Sequence, residues 1–285
     1  MMGMKIVTLV ENHTESELEC EHGLSFYIEF RGRAYLLDAG QTGLFARNAK
    51  SMGVDLTQVD SAVLSHAHYD HAGGFAEFAQ MNHSAPVFMQ RNAVCRYFSR
   101  KPGGMKEIGV PEDVFAKLGE RIRYVDGDVR ISDGVWLIAH HTGGLDKRGA
   151  QMGMYCEVEG EKMYDNFSHE HSLVFESEKG LVVFNSCSHG GVDLILREIC
   201  DAFPEKPILA MFGGFHLMGS GGPESMRESE EDVRSLGERL LRLPVEKLYT
   251  GHCTGTKAYP ILKEVLKDKL ELLVTGRTVE IHEVS

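Results

Sequence analysis

Short hydrophobic runs separated by glycine-containing turns dominate the first seventy positions of the chain. The stretches "MKIVTLV", "LSFYIEF" and "AYLLDAG" alternate or run apolar, and the last two flank Arg31-Gly32-Arg33, which predicts a β-hairpin. The segment "TGLFARNAKSMG" has helical spacing and ends at a glycine. "VDSAVLSH" is typical of a short buried strand, and "GGFAEFAQMN" after it predicts a helix. His66 is therefore expected at the carboxyl end of a strand.

The middle of the chain has a looser pattern. We predict a strand at "PVFMQ", a short helix at "PEDVFAKLG" and a hairpin over "IRYVDGDVRISDGVWLIAH". The basic, glycine- and proline-rich run "RYFSRKPGGMK" lies between the first strand and the helix. Within it, "SRKPGGMK" fits either a cover over an anionic substrate or a solvated loop.

The opening arrangement returns in the second part of the chain. "SLVFES" and "LVVFNSCSH" predict a second apolar hairpin, and two further strands are predicted at "PILAMFGGFH" and "EKLYTGHCTG", with the amphipathic helix "ESEEDVRSLGERLLRL" between them. These strands stop at small residues and present His189, His216 and His252 in turn. The pattern predicts an α/β chain of two related halves whose histidines gather at the carboxyl ends of strands.

Composition and charge narrow the class of protein. The chain has 285 residues, of which 42% are hydrophobic, and a formal net charge of −12, which disfavours nonspecific binding to nucleic acid or anionic lipid. No apolar run approaches the roughly 20 residues needed to span a bilayer, and the first residues do not fit a signal peptide. The six cysteines form no CxxC pair. We expect a cytoplasmic protein with reduced thiols and a small-molecule substrate.

The stretch "SHAHYDHAGG" carries the strongest chemical signal. His66 and His68 can point the same way from one extended segment, and Asp70 and His71 supply a carboxylate and a third imidazole nearby. Such a cluster cannot satisfy a single tetrahedral ion by itself, but split in this way it offers half the ligands of two metal sites. His189 and His252 are the natural remaining donors. The pattern predicts a two-metal centre, which makes a strong nucleophile from water at neutral pH.

The motif "HAHYDHAGG" resembles the signature of the metallo-β-lactamase superfamily, and the resemblance extends over nearly the whole chain. It implies a single metallo-β-lactamase-like domain over 1–285, folded as a four-layer αββα sandwich. "AYLLDAGQT" looks like the first motif of that superfamily, in which the aspartate, here Asp38, supports the metal loop without binding metal. A turn aspartate at a strand end is the alternative. The resemblance implies that one metal is bound by His66, His68 and His189, and the other by Asp70, His71 and His252.

One departure from the superfamily pattern concerns the second hairpin. Most members place a metal-bridging aspartate there, whereas this sequence has "NSCSH", so the position falls near Cys187. Cys187 is either a soft ligand or a small buried residue. His216, in "GGFHL", is a candidate ligand, general acid or substrate contact. His169 is a candidate for the pocket lining, and His140 and His141 are not expected to bind metal.

Later motifs resemble a subgroup labelled 7,8-dihydropterin-6-methyl-4-(β-D-ribofuranosyl)-aminobenzene-5′-phosphate synthase-like. They are "FSHEHSLVFESEKGLVVFNSCSHGGV", "FGGFHL" and "YTGHCTG". The main expectation is a dinuclear hydrolase whose metal-bound hydroxide attacks an ester, lactone, amide or phosphoester, with Asp70 and His216 as catalytic residues. A transferase condensing a phosphorylated ribosyl-aminobenzene with a pterin diphosphate, and a nonhydrolytic or redox metal module, are the alternatives. Zinc is the expected metal, with manganese or iron as alternatives, and homo-oligomerisation is left open.

Overall fold

A computed structural model describes residues 3–282, and their elements follow the predicted order along most of the chain. The strands are β1 (Met4–Val10), β2 (Ser25–Phe30), β3 (Arg33–Leu37), β4 (Ser61–Val63), β5 (Val87–Gln90), β6 (Arg96–Lys101), β7 (Gly104–Glu107), β8 (Ile122–Val125), β9 (Val129–Ser132), β10 (Val135–Ala139), β11 (Met154–Val158), β12 (Glu161–Tyr164), β13 (His171–Glu176), β14 (Leu181–Phe184), β15 (Ile208–Phe212), β16 (Val245–Thr250), β17 (Leu270–Leu272) and β18 (Thr278–Ile281).

The helices are α1 (Leu44–Ser51), α2 (Tyr69–Ala72), α3 (Phe75–Met81), α4 (Glu112–Leu118), α5 (Asp146–Met152), α6 (Val192–Ala202), α7 (Glu230–Leu241) and α8 (Ala258–Leu266). Short 3₁₀ turns lie at Leu56–Gln58, Arg91–Val94, Gly119–Arg121, His252–Thr254 and Lys267–Lys269. Among the residues from 3 to 282, no helix has the length and apolar character needed to cross a bilayer.

The chain divides into two compact units, each assembled from separate stretches of sequence. The first unit comprises the described residues of Met1–Gly127, Gly144–His171 and Val274–Ser285, and the second comprises Asp128–Gly143 and Ser172–Leu273. Each unit has its own core of buried aliphatic and aromatic side chains. The predicted single domain over 1–285 stays a prediction.

The main sheet of the first unit has the strand order β18-β1-β2-β3-β4-β5-β8. β2 and β3 form the predicted antiparallel hairpin around Arg31 and Gly32, and β3, β4, β5 and β8 are parallel. All three residues of β4 are buried, as the apolar run predicts for an inner strand of a parallel sheet. The chain leaves β4 at Val63, which brings His66 to the carboxyl edge of the sheet.

The main sheet of the second unit has the order β17-β16-β15-β14-β13-β10-β9. It repeats the plan of the first sheet, because an antiparallel hairpin of β13 and β14 leads into the parallel strands β14, β15, β16 and β17. The loops after β14, β15 and β16 therefore leave one edge of that sheet. The predicted mixed α/β class is confirmed.

A small third sheet in the first unit, of order β12-β11-β6-β7, differs from the sequence prediction. The run "RYFSRKPGGMK", predicted as irregular, forms the antiparallel hairpin β6–β7. Tyr97, Phe98 and Ser99 are buried in the middle of β6 between exposed basic residues, so the strand shows no alternating pattern that the sequence analysis could use. Strand pairing here depends on β11, more than fifty residues away, and no local signal reports that partner.

The hairpin predicted over 122–140 is only partly correct. β9 and β10 pair antiparallel as expected, but β8 pairs parallel with β5 in the first sheet. Gly127, with φ +69°, lies between β8 and β9 at the last residue of this stretch of the first unit. The periodicity alone did not separate β8 from β9 because both are short apolar alternations.

Candidate metal centre

The metal loop, residues 66–71, follows β4 and ends in helix α2. His66 and His71 are fully buried, and His68 and Asp70 are 4% and 8% exposed. The imidazole of His66 lies near both other rings, with centroid distances of 4.2 Å to His71 and 4.6 Å to His68. The first unit thus brings three imidazoles of the predicted motif together in a buried position.

Asp38, at the end of β3, organises this loop through hydrogen bonds. Its Oδ1 accepts the Ser65 backbone N–H at 2.8 Å, and its Oδ2 accepts the Ser65 hydroxyl and the His71 Nδ1 proton, both at 2.7 Å. The Ser65 hydroxyl donates its only proton to Asp38. In the 2.8 Å hydrogen bond between Ser65 Oγ and His66 Nδ1, the imidazole N–H is therefore the donor and the hydroxyl oxygen the acceptor. Both His66 and His71 therefore carry a proton on Nδ1 and keep the Nε2 lone pair.

Charge around His71 alters its protonation. Burial lowers the pKa of this imidazole, but the charges of Asp38 and Asp70 and the hydrogen bond to Asp38 outweigh burial, and the net pKa is raised above its ordinary value. Asp70 Oδ2 lies 3.7 Å from His71 Nε2. The carboxylates thus favour positive charge at this point of the loop, whether from a proton or a cation.

Asp70 also contacts a residue that the sequence did not single out. His22 Nε2 lies 3.2 Å from Asp70 Oδ2, and His22 Nδ1 lies 3.3 Å from the Asn12 side-chain amide. His13, His83 and His282 are exposed like His22. Only the contact with Asp70 distinguishes His22 among these four, and no spacing signal reports it.

The glycine pair that closes the motif has a packing reason. A Cβ on Gly73 would lie 2.1 Å from the Gln41 carbonyl oxygen, and one on Gly74 would lie 2.0 Å from that of Ala39. The loop after β3 therefore approaches the metal loop backbone to backbone. Any side chain at either position would push the two loops apart.

His169 lies against the metal loop from the segment before β13. Its ring centroid is 5.2 Å from that of His68. Its Nδ1 accepts the Ala67 N–H at 2.9 Å, and its Nε2 lies 3.1 Å from Asp165 Oδ2. Both ring nitrogens are used within the protein, so His169 does not offer a lone pair to a metal.

The second unit holds the other predicted donors in loops that follow β14, β15 and β16. His189 and His216 have ring centroids 4.3 Å apart. Hydrogen bonds connect the three loops. The Gly214 N–H, after β15, donates to the Ser186 carbonyl, after β14, at 2.8 Å, and the Phe215 N–H donates to the hydroxyl of Thr254, after β16, at 2.9 Å. The parallel order of the strands thus assembles His189, His216 and His252 at one sheet edge.

Cysteines lie within this second donor set. The possible ligand atoms of Cys187, His189 and His216 lie within 4.8 Å of one another, as do those of Cys187, His252 and Cys253. Cys253 donates to the Cys187 carbonyl at 3.6 Å, which gives that thiol a structural role. Both cysteines are 3% exposed. Cys187 has the position for a soft ligand and the burial of a core residue.

Backbone strain marks both donor sets. Asp38, Ser188, His216 and His252 all have positive φ, between 50° and 55°. For residues other than glycine this left-handed conformation costs on the order of 1–3 kcal/mol, and it persists where the surroundings fix the backbone. Such strain is concentrated at functional sites, and three of these four residues, Asp38, His216 and His252, are ones that the sequence analysis selected.

His140 and His141 have carboxylate partners of their own in the second unit. His140 Nδ1 lies 3.3 Å from Glu198, and His141 Nε2 lies 3.0 Å from Asp128. Burial raises the pKa of Glu198, but hydrogen bonds from His140, Thr142 and the His141 backbone outweigh it and leave the pKa below its ordinary value. These contacts fix the loop after β10.

The residues of the first unit fit a divalent metal. His66 and His71 each keep an Nε2 lone pair because a hydroxyl or carboxylate takes the Nδ1 proton, and Asp70 adds a carboxylate oxygen. Metal-binding histidines in proteins are held by this kind of outer hydrogen bond. Imidazole nitrogen and carboxylate oxygen are ligands that zinc accepts.

Several residues of the site escaped the sequence analysis. Ser65 and Asp165 act through hydrogen bonds to His66 and His169, and Tyr97 packs on the His169 ring. Ser65 adjoins the motif, so its position is the one signal that could have indicated it. Asp165 and Tyr97 become neighbours of the loop only through folding.

Comparison with known proteins agrees with this architecture. A family model described as the metallo-β-lactamase superfamily matches residues 18–144. The chain is 29% identical, over 97% of its length and 96% of the relative, to 7,8-dihydropterin-6-methyl-4-(beta-D-ribofuranosyl)-aminobenzene-5′-phosphate synthase of Methanocaldococcus jannaschii.

Solved structures extend the comparison to the whole fold. Tm1679, described as a metal-dependent hydrolase of the β-lactamase superfamily, superposes with a TM-score of 0.83 at 27% identity, covering 98% of this chain and 100% of that one. Zinc-bound PqqB from Methylobacterium extorquens shares the fold at a TM-score of 0.57 and 10% identity, covering 96% of this chain and 99% of that one. The chain is thus similar to the metallo-β-lactamase superfamily in the matched region 18–144, and similar over nearly its whole length to the synthase and to Tm1679.

Proposed function

We propose that the chain is a metal-dependent hydrolase of a small molecule. The observation that carries the proposal is the Asp38–Ser65 network, which holds the protons of His66 and His71 on Nδ1 and leaves Nε2 of both rings as a ligand atom. A site that served only folding would not require both rings in this one tautomer. The name of Tm1679 supports hydrolysis as the reaction class.

The ligand assignment follows the family resemblance. We propose His66, His68 and His189 for one ion and Asp70, His71 and His252 for the other, with zinc as the metal. Two bound divalent ions would supply Lewis-acid activation of water and of the attacked carbonyl or phosphoryl group. Asp70 would also orient the attacking water, since its carboxylate is held by His22 at 3.2 Å. His216 stays a candidate ligand, proton donor or substrate contact.

An anionic substrate is proposed on the basis of Lys106. Its Nζ lies 4.8 Å from the ring centre of Tyr69, which sits within the metal loop between His68 and Asp70. The Ile108 carbonyl, on the same segment as Lys106, accepts the Tyr69 N–H at 3.0 Å. This hairpin therefore carries a cation over the metal loop. Lys106→Gln should raise KM for anionic substrates up to about fivefold and leave KM for neutral analogues unchanged. Lys117→Gln, an exposed helix lysine, is the matched control.

Synthesis is the second candidate function. The Methanocaldococcus jannaschii relative, aligned over nearly its full length, carries the name of a synthase for a ribofuranosyl-aminobenzene 5′-phosphate pterin. We infer that a transferase reaction of this class competes with hydrolysis as an account of the site. Incubation with a pterin diphosphate and the phosphorylated ribosyl-aminobenzene, followed by mass spectrometry, tests it directly.

The test of the main proposal combines metal analysis with a substrate screen. Wild type, His68→Ala, His252→Ala and the control His83→Ala are compared for metal content and for hydrolysis of phosphodiester, phosphomonoester, lactone and thioester substrates. We expect about two metals per chain in wild type and control, with metal and activity lost together in the other two. Two metals without hydrolysis would favour the synthase, and metal content unchanged in His68→Ala and His252→Ala would refute the ligand assignment.

A cytoplasmic location is proposed as the setting. None of the six cysteines, all of which lie within the described residues, forms a disulfide, and Cys20 is exposed, which suits a reducing compartment. The net charge of −12 supports a small-molecule substrate in preference to nucleic acid.

A further inference from the structure

The segment 165–171 braces the backbone of the metal loop on both sides of His66. The His171 N–H donates to the Ser65 carbonyl at 3.0 Å, and the Ala67 N–H donates to His169 Nδ1 at 2.9 Å. Ala67 lies between the two histidines of the HxH pair and is 102 residues from His169 in sequence. One short segment thus holds the loop residue before His66 and the residue after it.

The hydrogen bonds fix the tautomer of His169. A backbone N–H can only donate, so His169 Nδ1 carries a lone pair and the ring proton is on Nε2. That proton is donated to Asp165 Oδ2 at 3.1 Å, while Asp165 Oδ1 accepts the Phe167 N–H at 2.8 Å. His169 is fully buried and Asp165 is 1% exposed. Asp165, His169 and the Ala67 N–H are therefore joined by a buried series of hydrogen bonds in which both ring nitrogens of His169 have partners.

Packing restricts the His169 ring as well. The Tyr97 ring lies 4.1 Å away, centroid to centroid, at 52°, and the Tyr97 hydroxyl donates to the Asn92 carbonyl at 2.7 Å. The His68 ring lies on another side of His169 at 5.2 Å. The imidazole therefore cannot turn to offer Nδ1 elsewhere without breaking contacts with both aromatic neighbours.

We propose that Asp165 and His169 are positioning residues for the HxH pair: they fix the Ala67 peptide and through it the directions of the His66 and His68 rings. The inference rests on the proposed metal function, because positioning is expressed as metal affinity. Outer contacts of this kind change metal affinity by about 10- to 100-fold when they are removed.

Two substitutions of His169 separate its hydrogen bonds. In His169→Asn the side-chain oxygen can occupy the Nδ1 position and accept the Ala67 N–H, but nothing reaches Asp165. In His169→Gln the amide nitrogen can occupy the Nε2 position and donate to Asp165, but the acceptor for Ala67 is lost. Asp165→Asn removes the carboxylate that accepts the His169 Nε2 proton. His83→Asn, at an exposed histidine, is the matched control.

The experiment measures zinc affinity by chelator competition, and the exchange rate of the Ala67 amide in metal-free protein. We expect His169→Gln to bind zinc about 10- to 100-fold more weakly and His169→Asn to stay within about threefold of wild type. We expect Ala67 exchange to accelerate most in His169→Gln, to stay at the wild-type rate in His169→Asn, and to lie between these two rates in Asp165→Asn. The spectrum of the cobalt-substituted protein should change in His169→Gln and not in His83→Asn.

The outcomes separate this inference from the proposed function. Equal zinc affinity and equal Ala67 exchange in the Asn and Gln variants would overturn the positioning role. If the wild-type protein fails to bind metal but Ala67 exchange still accelerates in His169→Gln, the metal function is refuted and the bracing contact is supported. If His169→Gln does not fold, zinc affinity and Ala67 exchange are compared between His169→Asn and Asp165→Asn. His169→Asn keeps an acceptor for the Ala67 N–H, whereas Asp165→Asn removes the carboxylate that orients the His169 ring.

Discussion

Asp38→Asn is the substitution that tests the organisation of the metal loop most directly. The carboxylate accepts the Ser65 N–H at Oδ1 and two further donors, the Ser65 hydroxyl and His71 Nδ1, at Oδ2. An amide of the same shape keeps one oxygen but presents an NH₂ group in place of the other. At the Oδ2 position, this NH₂ group would face the Ser65 hydroxyl and the His71 Nδ1–H, which are both donors.

The expected magnitude follows from these contacts. Hydrogen bonds to charged groups contribute about 1.5–3 kcal/mol each, and rotation of the Ser65 hydroxyl recovers part of the loss. We expect metal-free Asp38→Asn to be less stable by about 3 kcal/mol. His71 must also move its proton to Nε2 to accept the new amide, which removes a ligand lone pair, so zinc affinity should fall about 10- to 100-fold.

Urea unfolding of the metal-free protein and chelator competition for zinc measure the two effects separately. Asp60→Asn is the control, because Asp60 accepts a single hydrogen bond, from the Ala34 N–H at 2.8 Å, and is exposed. Asp60→Asn should lower the free energy of unfolding by about 1 kcal/mol or less and leave zinc affinity unchanged. Zinc affinity of Asp38→Asn within about threefold of wild type would refute the tautomer argument.

Three further predictions concern packing, charge and the thiol. Gly74→Ala places a Cβ 2.0 Å from the Ala39 carbonyl and should destabilise the protein by about 3 kcal/mol in urea unfolding, whereas Gly103→Ala, with open space around it, should be neutral. Glu198→Gln should lower the free energy of unfolding at pH 7. Because the pKa of Glu198 is lowered in the folded protein, the ionised carboxylate stabilises the fold and protonation removes that stabilisation, so the difference from wild type should shrink as pH falls below about 4. A difference that does not depend on pH would contradict this. Cys187→Ser should leave the spectrum of the cobalt-substituted protein unchanged, as for Cys253→Ser; loss of a thiolate-to-cobalt band in Cys187→Ser alone would make Cys187 a ligand.

Much of the architecture could be predicted because its signals are local. The β2–β3 hairpin, the burial of β4 and the helix α7, which begins with a capping box at Ser229, all depend on residues close in sequence. The HxHxDH motif likewise lies within one loop. Local periodicity and turn chemistry therefore suffice for the elements that present the metal loop.

The remainder depends on partners that are distant in sequence. β8 looked like half of a hairpin but pairs with β5, and the β6–β7 hairpin needs β11. Asp165 has no motif around it, and its contact with the site exists only because His169 reaches Ala67. Side chains that act through a second residue carry no spacing signal, which is why Asp165 was not predicted and why Asp38 was indicated only by the family resemblance.

The pairing of β1 with β18 has a consequence for biosynthesis. Met4 lies opposite Ile281 in the antiparallel ladder, so the first sheet is completed by a strand that is synthesised after every other described strand. All of the second unit, which ends at Leu273, is synthesised before that strand. During translation the second unit can close its sheet while β1 still exposes an unpaired edge, the kind of edge that invites aggregation. A circular permutant that places β1 directly after β18 and opens the chain between Gly103 and Gly104 would make the β18–β1 pair a local hairpin, and that edge would be covered as soon as β1 is synthesised.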